Sequence, residues 1–262
     1  MIRLVGIWLA TVVSLASLLC SPANAADQPL SVPILLYHRL GPAVTDDMTV
    51  TTAVVESQLK LIQERNWRVI SLSTLLAAYT EPEAPPLERS VVIVADDGHR
   101  SVYSDLFPLM KRYNIPVTLF IYPSAISNPY APYAMSWEQL AEMKASGLAD
   151  IQSHTFWHPN FNTEKKRLAP AAYEKFVQEQ LGKSKAVLDQ KLGLKVDLLA
   201  WPFGIHDADL EQAAEKAGYV AAFTIDRRPV TRMDKRMALP RFIVTDLDRG
   251  SRFENLLAGA SK

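Results

Sequence analysis

Asp96-Asp97-Gly98 follows the apolar run Val91-Val92-Ile93-Val94-Ala95, and His154-Thr155-Phe156-Trp157-His158 follows the segment Leu148 to Ser153. Each run reads as a buried strand, so each cluster sits where a strand ends. Asp97, His154 and His158 together offer one carboxylate and two imidazoles, a usual donor set for a catalytic divalent ion with open positions. Such an ion lowers the pKa of a bound water to about 7. Adjacent side chains diverge, so of Asp96 and Asp97 one can hold the ion while the other stays free to act as a base. Pro159 biases His158 away from helical backbone, which places the second histidine on a loop rather than a helix face. Alone, His-x-x-x-His can be coincidence and Asp-Gly an ordinary turn. A turn does not explain two acids after a fully apolar strand.

Two further segments end on the same side. In Trp201-Pro202-Phe203-Gly204, proline and glycine fix a turn after a strand candidate. The Phe203 N–H could point at a developing oxyanion, and Trp201, Pro202 and Phe203 could offer a platform for an acyl group or a sugar. An ordinary turn over core aromatics accounts for the same residues. His38 follows Ile34-Leu35-Leu36-Tyr37. It could protonate a departing amine or be a hydrogen-bonded core histidine. His99 and His206 fall in loops just beyond strand candidates, and no histidine lies in a predicted helix.

The elements that must position these residues alternate. Strands are expected at 33–37, 67–70, 91–95, 116–122, 148–153, 196–201, 219–225 and 238–244. Helices are expected at 52–66, 71–79, 102–113, 136–146, 170–192, 207–217 and 252–258. In the long helix Tyr173, Val177, Leu181, Leu188 and Leu192 share a face, and Gly193 is a stop signal. Residues 41–47 and 81–86 read as loops. Alternation of this kind implies parallel βαβ units. About seven strands fit a closed or nearly closed α/β barrel in one domain, whose site lies at the C-terminal strand ends.

Composition narrows the classes. The chain has 262 residues, 48% of them hydrophobic, with 28 basic against 28 acidic residues. Without a basic footprint, binding to nucleic acid is not expected. Arg3, the uncharged stretch Leu4 to Cys20 and Ala23-Asn24-Ala25 form a secretory signal pattern, with cleavage expected after Ala25. The mature domain is then 26–262, exported to the periplasm or beyond, with no stable membrane insertion. Cys20 is the single cysteine, so the mature chain would have no disulfide.

Asp96-Asp97-Gly98, His154-Thr155-x-x-His158 and Trp201-Pro202-Phe203-Gly204 resemble the ordered motifs of the polysaccharide deacetylases, carbohydrate esterase family four. The resemblance covers roughly residues 33 to 245. Within that superfamily the chain is most similar to the branch of poly-β-1,6-N-acetylglucosamine deacetylases, through Leu35-Leu36-Tyr37-His38, Ser101-Val102-Tyr103 and the Trp-Pro-Phe-Gly turn. The resemblance implies a distorted (β/α)7 barrel and hydrolysis of N-acetyl groups on a glycan. It implies Asp96 as base, and Asp97, His154 and His158 as ligands of one divalent ion: zinc, with cobalt or nickel as alternatives. It also implies His38 in place of the superfamily's C-terminal histidine. The chain departs from the pattern at Val94-Ala95, usually Thr-Phe, and at His99, usually a tyrosine. The arginine often found just before the proline of the third motif is absent, which leaves Arg241 as a candidate to orient Asp96. An O-acetyl esterase with the same site, or a catalytically silent glycan-binding barrel, are the alternatives. Retention of Asp96 beside a full ligand set argues against the silent barrel, because binding alone needs no base.

Overall fold

The computed structural model describes residues 30–81 and 87–259; the expected signal segment lies outside them. In chain order, β1 (Ile34–Tyr37), β2 (Arg39–Gly41) and β3 (Thr49–Thr51) lead into α1 (Thr52–Glu64). Then β4 (Arg68–Ile70) precedes α2 (Leu72–Thr80), β5 (Ser90–Asp96) precedes α3 (Phe107–Tyr113), and β6 (Val117–Ile121) precedes α4 (Trp137–Ala145). Next, β7 (Ala149–Ser153) precedes α5 (Phe161–Arg167) and α6 (Pro170–Leu192), and β8 (Leu198–Ala200) precedes α7 (Ala208–Lys216). The chain closes with β9 (Ala221–Phe223), β10 (Phe242–Ile243) and α8 (Ser251–Leu257).

Seven strands form a curled parallel path in the order β10-β1-β5-β6-β7-β8-β9, the single-domain α/β barrel expected. β4 pairs the start of β5, from Ser90 to Val92, and β6 pairs its end, from Val94 to Asp96. The last segment touches both edges of the path. Leu239 pairs with Phe223 of β9, while Phe242 and Ile243 pair with Leu35 and Leu36 of β1. Pro240, which has no N–H to give a ladder, separates the two pairings, so the expected strand 238–244 is short.

Strand alternation divides the core. Ile34, Leu36, Val92, Val94, Phe120 and Phe223 form one buried cluster, inside the curl. Leu35, Tyr37, Val91, Ile93, Leu119 and Ile151 belong to the other, with the buried faces of the surrounding helices. Side chains two residues apart on a strand share a face, so Asp96 continues Val92 and Val94 inward. His38 continues Ile34 and Leu36, and Arg241 continues Leu239. The alternation that builds the core thus also aims three polar groups at the barrel mouth.

Helix ends follow their local chemistry. Ser136 and Gln139 make a reciprocal capping box on α4, which satisfies two otherwise orphaned N–H groups. Gly193, at φ 57, ends α6 where expected. Three features differ from the sequence reading. Arg39–Gly41 pairs with Thr49–Thr51 in a small parallel sheet that flanks the expected loop at 41–47 and was not itself expected. The helix expected from 102 opens with a π-turn over Val102–Leu106, just before Pro108, whose ring opposes the regular i−4 bond. A short helix, α5, is capped by Asn160 within the loop expected after β7.

Candidate metal and proton-transfer site

Asp96 is the last residue of β5, and the chain then turns through Asp97 at φ 71 and Gly98 at φ 73. A Cβ on Gly98 would stand 3.0 Å from a methyl of Ile121, so the position needs glycine for its backbone and for its space. The left-handed turn sends the two aspartates apart. Asp96 is buried, and Asp97 lies half-buried at the mouth.

The histidine turn has the same character. Thr155 and His158 have φ 64 and 60, and a β-branched residue at positive φ is a strained exception. Hydrogen bonds hold the strain. The Thr155 N–H donates to Ser153 Oγ (3.2 Å), and the His158 N–H donates to Thr155 Oγ1 (3.1 Å). The threonine between the two histidines therefore builds the turn that brings the second one back.

The Nε2 atoms of His154 and His158 lie 3.6 and 3.7 Å from Asp97 Oδ1. All three ligand atoms fall within 4.8 Å of one another. Bonds of about 2.0–2.1 Å at tetrahedral angles put ligand atoms roughly 3.3 Å apart, so this set fits one small divalent ion. Its chemistry agrees. His154 Nδ1 lies 2.8 Å from the Ala200 carbonyl, a contact that places the proton there and leaves the Nε2 lone pair for a metal. Burial, opposed by the Asp96 carboxylate, pushes the His154 pKa down to about 3. Burial also pushes His158 down, again against Asp96. Both rings are thus neutral ligands at neutral pH. Burial, with the neighbouring charges of His38 opposing and Asp96 adding, raises the Asp97 carboxyl above the usual range.

Asp96 is held differently. Arg241 donates to both its oxygens, Nη1 to Oδ1 at 2.8 Å and Nη2 to Oδ2 at 2.9 Å, while Arg241 Nε donates to the Thr224 carbonyl at 2.9 Å. Burial opposes the Asp96 charge, but the Arg241 guanidinium, helped by His154, outweighs it and holds the pKa below the ordinary range. The pair is buried and bidentate, and each of the three guanidinium nitrogens makes a hydrogen bond, the geometry in which a buried ion pair can persist. Asp96 Oδ2 also lies 3.6 Å from His154 Nε2, so the carboxylate stands beside the place an ion would take. Arg241, 145 residues away in sequence, is the orienting group.

His38 is partly buried, and its Nδ1 has no partner among the described residues. Burial lowers its pKa, against the pull of Asp96 and Asp97. His99 instead contacts Ser101 Oγ at 2.8 Å, and His206 pairs with Glu211 at 2.9 Å; neither joins the cluster. In the Trp-Pro-Phe-Gly turn the three residues part company. Trp201 is wholly buried and donates its indole N–H to the Met237 carbonyl at 2.8 Å, and Pro202 is buried as well. As placed, these two support the turn from below rather than present a platform. Phe203 is 55% exposed, at φ 57, with its ring 4.6 Å from that of His158. Among the described residues its N–H finds no acceptor. A Cβ on Gly204 would come within 2.6 Å of Ile225, which explains the glycine.

Two nearby residues carried no sequence signal. Tyr122, just after β6, has its ring 5.5 Å from His158 and its hydroxyl 3.2 Å from that of Tyr133. Arg39, paired with Asp46, lends a positive field to His38 and Asp97. A cavity of about 820 Å³ between α6 and α7, lined by Tyr173, Val177, Leu210 and Ala213, lies on the outer helical layer and contains none of these groups.

The family model for "Polysaccharide deacetylase" matches residues 83–222, more than half of the chain. A "Poly-beta-1,6-N-acetyl-D-glucosamine N-deacetylase" of Staphylococcus aureus (strain MRSA252) is 26% identical over 211 residues, covering 80% of this chain and 71% of that one. The structure of a Streptococcus pyogenes deacetylase, PplD, in complex with acetate superposes with a TM-score of 0.78 at 19% identity, covering 88% of this chain and 99% of that chain. IcaB from Ammonifex degensii superposes with a TM-score of 0.74 at 24% identity, covering 87% and 97%. The two superpositions establish the shared fold.

Proposed function

The chain belongs to the polysaccharide deacetylase family and is a hydrolase of that class, and from this we propose that it removes N-acetyl groups from N-acetylglucosamine-containing glycans outside the cytoplasm, after loss of residues 1–25. One observation carries the reading. A neutral two-histidine, one-carboxylate set stands 3.6 Å from a second carboxylate that Arg241 keeps ionised. Binding alone requires neither the second carboxylate nor its buried arginine.

Asp97, His154 and His158 would hold one divalent ion, and zinc suits their donors. When bound, that ion supplies Lewis-acid polarisation and makes water acidic near neutrality. The protein's own groups do the rest. Asp96, fixed by two hydrogen bonds from Arg241, accepts a proton from the water whose oxygen bonds to the acetyl carbon. The Phe203 N–H donates to the oxygen that gains charge. His38 gives a proton to the amide nitrogen as the C–N bond breaks, so acetate and a free amine leave. The Staphylococcus relative, a poly-beta-1,6-N-acetyl-D-glucosamine N-deacetylase, supports that sugar as substrate. The test is acetate release by the metal-loaded protein from a panel of N- and O-acetylated glycans. Release from N-acetylglucosamine oligomers is expected; release only from O-acetylated glycans would make the chain an esterase.

A further inference from the structure

The 23-residue helix α6 packs an apolar face inward, with Tyr173, Val177, Leu181, Leu188 and Leu192 buried. Two polar residues share that face. Gln180 is 4% and Ser184 0% exposed, one helical turn apart. Buried polar groups cost stability unless they are hydrogen-bonded, and here both reach the histidine turn. Gln180 Oε1 accepts the Trp157 N–H at 3.1 Å, and Ser184 Oγ lies 2.8 Å from Ser153 Oγ. Tyr219, between α7 and β9, closes the cluster. Its hydroxyl stands 2.9 Å from Ser153 Oγ and 2.9 Å from the Leu181 carbonyl of α6.

These contacts bear on the two histidines unequally. His154 is fixed through its ring, by the Ala200 carbonyl of β8. His158 is fixed through its backbone, by Thr155 Oγ1, and the Thr155 backbone in turn by Ser153 Oγ. Thr155 and His158 both have positive φ, a conformation that persists only where its surroundings over-determine it. Ser153, at the base of the turn, and Trp157, beside His158, are the two points at which α6 supplies that constraint. Apolar side chains of the same volume would pack the helix as well, but they would leave both points free.

We propose that Gln180 and Ser184 are positioning residues for the metal site: by holding the turn from 153 to 158 in its strained shape, they set the place of His158 and hence the affinity for the ion. The inference rests on the assignment of Asp97, His154 and His158 as ligands. Groups that orient metal ligands without touching the metal typically govern affinity by about 10–100-fold. A helix of the surrounding layer thus tunes a site at the barrel mouth through the backbone of one turn.

The test measures the dissociation constant for Zn²⁺ by competition with a chelator of known affinity, the visible spectrum of the Co²⁺-loaded protein, and unfolding in urea. Gln180→Met keeps the side-chain volume and removes the acceptor. It should weaken Zn²⁺ binding by about tenfold or more and alter the Co²⁺ bands, which report ligand geometry. Ser184→Ala should shift both readouts in the same direction by less, because Ser153 Oγ can still accept the Thr155 N–H. Val177→Ala, on the same buried face, is the control for a merely structural role. It should lower the urea midpoint and leave both metal readouts at the wild-type values. Wild-type affinity and spectrum in both Gln180→Met and Ser184→Ala, or an equal loss in Val177→Ala, overturns the inference and leaves the ligand assignment intact. Failure of the wild type to hold one equivalent of Zn²⁺ would instead overturn the ligand assignment, and this inference with it.

Discussion

The two sides of the barrel mouth are built on opposite terms. On the β10-β1-β5 side, Asp96 and Arg241 are buried, doubly hydrogen-bonded to each other and aimed by strand alternation. On the β6-β7-β8 side, Tyr122 and His158, half-buried, and Phe203, exposed, stand on turns in ring contact. The first side fixes charge in the interior, as the proposed proton transfer requires. The second carries its rings on the turns at the rim. The three ligand candidates lie at the seam, with Asp97 from one side and His154 and His158 from the other. Four of the eight non-glycine residues with positive φ among the described residues fall along this seam: Asp97, Thr155, His158 and Phe203.

Removing the seam should cost most. His154→Ala is expected to abolish both stoichiometric metal, read by elemental analysis, and acetate release. Retention of a full equivalent of metal in a His154→Ala, His158→Ala double variant would break the ligand assignment.

Arg241→Met should be next. It leaves Asp96 charged and unpaired in the interior, a loss of about 3–5 kcal/mol, measurable by urea unfolding. The kinetic sign is also set. A base works above its pKa, and Arg241 keeps that of Asp96 low. Without the guanidinium the acid limb of kcat/KM should move to higher pH. A limb that stays put would show that Arg241 serves packing alone.

His38→Ala should have a smaller and selective effect. An acid works below its pKa, and burial holds that of His38 below the ordinary imidazole value of about 6.5. Amide hydrolysis should therefore fall as pH rises through that region in the wild type. The substitution should erase this limb and slow amide cleavage more than cleavage of an activated aryl acetate, whose leaving group needs no proton. Equal losses on both substrates with an unchanged profile would give His38 a packing role.

Sequence exposed the two sides unequally. The Asp-Asp-Gly and His-Thr-x-x-His clusters were legible because strand alternation and turn chemistry are local, and they fixed strand ends and ligand types together. The long helix over 170–192 was legible for the same reason: its face and its Gly193 stop lie within a few turns. Arg241 was only a candidate, since its partner lies 145 residues away and barrel closure is what brings them together. Tyr122 and Tyr133 gave no signal, because their meaning depends on which strands are neighbours. The Trp201 turn shows the converse limit. Its position at a strand end was readable, but which ring faces solvent was not, and a positive φ at Phe203 decides it by turning that residue outward while Trp201 bonds to Met237.

The division of labour between two adjacent aspartates is the centre of this account, and one paired measurement reaches it. Metal content and acetate release are determined together for Asp96→Asn and Asp97→Asn. Asp96→Asn is expected to keep one equivalent of metal while turnover falls about 10² to 10⁴-fold, the range for loss of a general base, and Asp97→Asn is expected to lose the metal. Metal lost from Asp96→Asn but kept in Asp97→Asn would contradict the account and exchange the two roles.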